Sequence, residues 1–138
     1  MNYELLLREH HLKVTPQRLG ILNLISNAGH LDVEELFTQI KKEFNSISLA
    51  TLYKNINSMI EKTLLTEIKI PHMKSKYEIA KEPHIHLLCR ECSEFIDMNV
   101  DIDTLVDEAK EKSHYQLTNS SIVLCGICES CQEKLVSK

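Results

Sequence analysis

Apolar residues recur at helical spacing through the first half of the chain. Leu19, Leu22 and Ile25 share one face of a segment that opens at Thr15-Pro16 and stops at Asn27-Ala28-Gly29. A hydroxyl ahead of a helix accepts from its first N–H groups, proline at the first helical position loses no donor, and glycine suits the end. Val33, Leu36, Phe37, Ile40 and Phe44 then form an amphipathic stripe. Asp32 precedes that stripe with Glu35 three residues on, an acidic variant of the capping box. A third helix is predicted from Ser48. Leu52, Ile56, Met59 and Ile60 would face the core, and Thr51, Tyr53, Lys54, Asn55 and Ser58 would face outward. The period then shortens to about two residues: Leu64, Thr66, Ile68 and Ile70 alternate with Leu65, Glu67 and Lys69, which predicts a strand. Residues 71–75 read as a turn and 76–80 as a returning strand. Helices followed by a hairpin make a winged helix-turn-helix.

The second half predicts strands at His84–Arg90 and Phe95–Met98, then a helix with Ile102, Leu105, Val106 and Ala109 on one face. A strand over Tyr115–Cys125 and a helix over Glu129–Val136 complete it. The fold class is α+β, with residues 1–82 as a DNA-binding domain and 84–138 as a small α/β domain. Composition changes at the same place. Residues 1–83 hold eleven Lys/Arg against ten Asp/Glu, residues 84–138 hold five against ten, and all five cysteines lie in the later part. Neither half is basic enough to announce nucleic-acid binding by charge, so DNA contact needs a local patch and a second copy of the chain. No apolar run approaches the roughly 18 residues of a membrane span, and the N-terminal stretch lacks the pattern of a signal peptide. An odd number of cysteines in such a chain points to a reducing compartment and thiolate–metal chemistry, hence a cytoplasmic protein.

Cys89-Arg-Glu-Cys92 and Cys128-Glu-Ser-Cys131 are two CxxC pairs. Two thiolates from each pair make the four-sulfur set that structural zinc prefers, and such a site would staple the terminal segment to the sheet. Cys125-Gly-Ile-Cys128 is a third CxxC, so spacing alone leaves open which pair ligates. His84-Ile-His86 places two imidazoles on one face of a strand. Two such histidines are commonplace, but Asp97 on the neighbouring strand and Glu78 on the hairpin add the oxygen donors that suit Fe(II), Mn(II) or Zn(II). His30, after Gly29, reads by itself as a surface residue. Thr51, Tyr53, Lys54 and Asn55 are side-chain types that reach bases or phosphates from a recognition helix, and Lys13 and Arg18 flank a helix start where phosphates are held.

These pieces, in this order, resemble the ferric uptake regulator (Fur) family of metal-dependent transcription factors. The resemblance rests on Lys13-Val-Thr-Pro-Gln-Arg18, Ser48-Leu-Ala-Thr-Leu-Tyr53-Lys-Asn, Tyr77-Glu78, His84-Ile-His86-Leu-Leu-Cys89-Arg-Glu-Cys92 and Gly126-Ile-Cys128-Glu-Ser-Cys131. It implies a homodimer with a winged-helix domain and a dimerisation domain. It also implies that Cys89, Cys92, Cys128 and Cys131 hold structural Zn(2+), leaving Cys125 out. His30, Glu78, His84, His86 and Asp97 match the regulatory Fe(2+) or Mn(2+) site, Tyr53 the base-contacting tyrosine and Lys13 the minor-groove lysine. Asp97 matches the peroxide-sensing branch, and Pro83, Ile85 and Ser120 stand where iron sensors often carry further ligands; Glu78 matches the iron-sensing branch instead.

The resulting expectation is a repressor on AT-rich palindromic operator DNA that responds to peroxide through metal-catalysed oxidation of a ligand histidine. The alternative is an iron-sensing repressor that binds Fe(II) reversibly. An enzyme is not expected, because no general base stands apart from the metal-ligand set.

Overall fold

The computed structural model describes residues 2–118 and 120–136. The chain divides into two units, Met1–Lys81 and Glu82–Lys138. In the first, α1 (Tyr3–Glu9), α2 (Pro16–Ala28), β1 (Leu31–Asp32), α3 (Val33–Glu43) and α4 (Leu49–Glu61) precede the hairpin β2 (Leu65–Ile68) and β3 (Lys76–Ile79). β3 is central in an antiparallel sheet of order β1-β3-β2. This is a winged helix.

The helix ends follow their side chains. Thr15 accepts from the Arg18 N–H at the start of α2, and Gly29 closes that helix at φ 86°, a backbone angle that disfavours any side chain. Asp32 caps α3 in a full capping box with Glu35. Ser48 caps α4 by accepting from the Thr51 N–H. α1 was not apparent in the sequence; Asn2 caps it by accepting from the Leu5 N–H, and Leu7 anchors it in the core. The core joins Leu22 and Ile25 of α2, Leu36 and Ile40 of α3, and Leu52, Ile56 and Met59 of α4. Gly20 lets α2 approach α3 closely. A Cβ there would meet Ile40 Cδ1 at 3.0 Å and Phe44 Cε2 at 3.1 Å.

The second unit contains β4 (Ile85–Cys89), β5 (Phe95–Met98), α5 (Asp103–Ser113), β6 (Val123–Gly126) and α6 (Glu129–Val136). β4 is the middle strand, antiparallel to β5 and parallel to β6. The register produces two rows. Asp97, His86 and Val123 stand abreast, and next to them Ile96, Leu87 and Leu124. Successive residues point to opposite faces, so the first row carries polar chemistry on one side and the second an apolar stripe on the other. The expected strand over Tyr115–Cys125 is shorter than anticipated. Only Val123–Gly126 is strand, and the described residues ahead of it have no regular structure. Thr118, Ser120 and Ser121 interrupt the apolar alternation that a half-buried strand needs; Asn119 lies outside the described residues. The largest fully buried side chains, from Leu7 to Ile68, all belong to the first unit. The second has a thin core of Ile85, Leu88, Ile102 and the cysteines 89 and 131.

Candidate metal centres and nucleic-acid interface

Four sulfurs converge in the second unit. Cys89 ends β4, and the following turn, with Ser93 at φ 64°, brings Cys92 back beneath it. Cys128 precedes α6, its carbonyl accepting from the Gln132 N–H, and Cys131 is buried in the first turn of that helix. Arg90 N–H donates to the Gly126 carbonyl at 2.8 Å and ties the two segments together. The Sγ atoms of Cys89, Cys92, Cys128 and Cys131 all lie within 4.8 Å of one another, and Cys92 and Cys128 are 3.8 Å apart. A tetrahedron with metal–sulfur bonds of about 2.3 Å has edges of about 3.8 Å. Cys125, exposed on β6, is outside the cluster, so the described geometry selects between the overlapping CxxC pairs.

Electrostatics within the cluster are opposed. Backbone N–H groups of Cys128 (3.3 Å) and Cys92 (3.5 Å) donate to Cys89 Sγ and bring its thiol down to about 6, the Cys128 bond contributing most. The Cys131 thiol is pushed up to about 12, first by the Cys128 sulfur and then by burial. Four sulfurs this close cannot all carry negative charge by themselves. A divalent cation removes the conflict, and the donor set suits zinc.

The second donor set is built on the polar row of the same sheet. The register puts His86 directly opposite Asp97, and His86 Nε2 lies 3.2 Å from Asp97 Oδ1. His84 Nε2 lies 3.1 Å from His86 Nε2. His84 Nδ1 is 2.9 Å from the Glu82 carbonyl, which only accepts. That hydrogen bond therefore places the proton on Nδ1 and presents the Nε2 lone pair inward, the role of an outer partner behind a metal-binding histidine. The His86 ring stacks on Phe95, with centroids 5.0 Å apart and planes 13° from parallel. His86 is buried at 3% exposure, whereas Asp97 keeps an open side. Two nitrogens and one oxygen about 3 Å apart match neighbouring corners of a coordination shell with bonds of about 2.1 Å, so the residues fit a borderline-to-hard divalent metal. Glu78 is buried on β3 opposite Thr66, and His30 is half-buried between α2 and β1; both belong to the first unit.

Three of the six expected DNA-contacting residues meet in one network. Arg18 Nε donates to Asn55 Oδ1 at 3.2 Å, and Arg18 Nη1 donates to the Lys13 carbonyl at 2.8 Å. Arg18 thus locks the Lys13 loop to α4. Thr51 Oγ1 accepts from the Ser48 hydroxyl at 2.9 Å, inside the helix cap. Tyr53 and Lys54 are exposed on α4, and Lys13 is exposed before α2. The sequence points to these side chains one by one; the long-range Arg18–Asn55 contact has no local signal.

The sequence matches the ferric uptake regulator family over residues 9–125. A relative, the peroxide-responsive repressor PerR of Staphylococcus saprophyticus, is 26% identical over 130 residues, spanning 93% of this chain and 88% of its own. Among solved structures, the ferric uptake regulator (Fur) of Vibrio cholerae superposes with a TM-score of 0.73 at 32% identity, covering 92% of this chain and 100% of that one. The Campylobacter jejuni peroxide stress regulator gives 0.72 at 34% identity, covering 95% and 100%. Among the described residues no helix is long and apolar enough to cross a membrane. With a winged helix, a four-cysteine cluster and a separate histidine–carboxylate set on the page, this chain belongs to the ferric uptake regulator family, whose members bind operator DNA as dimers, and it is a metal-dependent transcriptional regulator rather than an enzyme.

Proposed function

We propose that the chain is a peroxide-responsive repressor, working in the cytoplasm as a homodimer on AT-rich palindromic operator DNA. The observation that carries this reading is the convergence of His84 Nε2, His86 Nε2 and Asp97 Oδ1 beside, and chemically distinct from, a four-sulfur cluster. Thiolates favour zinc, and imidazole with carboxylate accommodates Fe(2+) or Mn(2+), so one set is a permanent scaffold and the other a sensor. In this reading Cys89, Cys92, Cys128 and Cys131 hold the zinc, and His30 and Glu78 join His84, His86 and Asp97 at the sensor. Fe(2+) held there would supply the metal catalysis by which a hydroperoxide, itself the two-electron oxidant, gives one oxygen atom to a ligand imidazole, His84 or His30, and leaves as water or an alcohol.

The chain's own residues set up that outcome. Glu82 fixes the His84 tautomer, and Phe95 fixes the His86 ring plane. A ligand set drawn from both units favours the one arrangement in which all five donors converge, and losing a donor removes that preference. On α4, Tyr53 and Lys54 have the free reach for base edges, while Asn55, Arg18 and Thr51 position the helix and Lys13 enters the minor groove. The exposed stripe of Ile96, Met98 and Leu124 on the second unit's sheet supports a homodimer, because a second copy would bury it.

Mass spectrometry of the iron-loaded protein after mild peroxide tests the reading. One added oxygen atom on the peptide containing His84 or His30 is expected with iron and not with manganese. Absence of that oxygen with iron would sink peroxide sensing. It would leave the iron-sensing reading, with reversible Fe(II) binding, which Glu78 favours.

A further inference from the structure

The first unit carries a cavity of 760 Å³ beside α4, lined by Phe37, Lys41, Tyr53, Glu67, Lys74 and Tyr77 among others. Two lysines enter it from different elements. Lys41 comes from α3, with its ammonium 5.1 Å from the centroid of the Phe37 ring. Lys74 comes from the turn between β2 and β3, and its ammonium is ion-paired with Glu34 at the start of α3. Glu34 also lines the cavity, so its cations and carboxylates balance. The cavity thus holds two cations without a net positive charge, and one of them, Lys74, is committed to Glu34.

We propose that this cavity receives a DNA backbone phosphate, with Lys41 and Lys74 as its cations and Glu34 as an internal competitor that holds Lys74 until DNA arrives. The inference rests on the reading of α4 as the DNA-reading helix. Tyr53 lines the same cavity, so a base reached by that ring brings its own strand's phosphates alongside. The Lys74 and Glu34 side chains are 54% and 71% exposed, and solvated pairs of this kind are loosely held. Exchanging the carboxylate for a phosphodiester therefore requires little, and the new contact is a charge-assisted hydrogen bond to a phosphate oxygen. Donating a hydrogen bond to Glu34 raises the Lys74 pKa, so the pair is an ammonium on a carboxylate before the exchange. Neither lysine was singled out by the sequence, because the cavity is assembled from segments far apart in the chain.

Fluorescence anisotropy with the zinc- and manganese-loaded protein tests this on two duplexes, one AT-rich palindrome and one mixed sequence, across a salt series. Lys41→Ala and Lys74→Ala are each expected to weaken both duplexes about equally, by roughly 3- to 10-fold, and to lower the slope of log K against log salt by about 0.9. Lys42→Ala, the same charge on α3 outside the cavity, is expected to leave that slope unchanged. Glu34→Gln is expected to tighten binding about 2- to 5-fold in the parent and to have no effect in the Lys74→Ala background, as a coupled pair requires. Unchanged slopes for both lysine variants, or a Glu34→Gln gain that persists without Lys74, would overturn the proposal. Tyr53→Ala separates this from the reading beneath it. If it abolishes the preference for the palindrome while the lysine variants do nothing, only the phosphate site fails. If it leaves the preference intact, the reading of α4 fails and takes the site with it.

Discussion

His84 owes the orientation of its ring nitrogens to one backbone carbonyl. With Nδ1–H committed to Glu82, its Nε2 can only accept, and His86 Nε2 faces both that atom and Asp97. His86→Ala removes the shared member of the set. It is expected to weaken Mn(II) binding by roughly 100-fold or more, beyond the losses typical of outer-shell changes. Titration calorimetry measures this, and zinc content should not change. At this scale the cysteine pairs and the two histidines were readable because their spacing is local. Asp97 needed only the assumption that β5 lies beside β4. Arg18 and Asn55 were suspected separately, and nothing in the chain between them announces that they touch.

At the scale of elements, the helices that join a capping side chain to several apolar residues at helical spacing were apparent in advance. α2, α3 and α4 begin at Thr15, Asp32 and Ser48, where the hydroxyl or carboxylate cap stands. α1 escaped because seven residues carry too little periodicity; its signal was the Asn2 cap alone. The long strand expected before Cys125 failed for the opposite reason, since apolar residues at its ends concealed a polar middle. Gly20 illustrates a property that no periodicity reveals: it is the near contact between α2 and the side chains of Ile40 and Phe44. Gly20→Val should force those side chains off their packing and destabilise the first unit by about 2 kcal/mol. Urea unfolding is the measurement, and an unchanged midpoint would contradict the close approach.

Across the whole molecule the two units are held together internally by different means. The first has a full apolar core, whereas the second relies on a thin core and four converging sulfurs. Cys92→Ser, or zinc removal by a strong chelator, should therefore unfold the second unit while the first still melts cooperatively. Dimerisation and DNA binding should be lost together, with helical circular dichroism largely retained. Analytical ultracentrifugation and a thermal scan on the same sample test this. A variant that remains dimeric would show that the sulfurs are dispensable.

The placement of β4 between β5 and β6 also bears on protein synthesis. β4 carries His86 and Cys89, but its parallel neighbour β6 and the second cysteine pair are made only after the intervening crossover through α5. A nascent chain on the ribosome would have a finished winged helix well before the four-sulfur centre can close. Until Cys131 emerges, the molecule would be a DNA-binding head whose sulfur scaffold is still open.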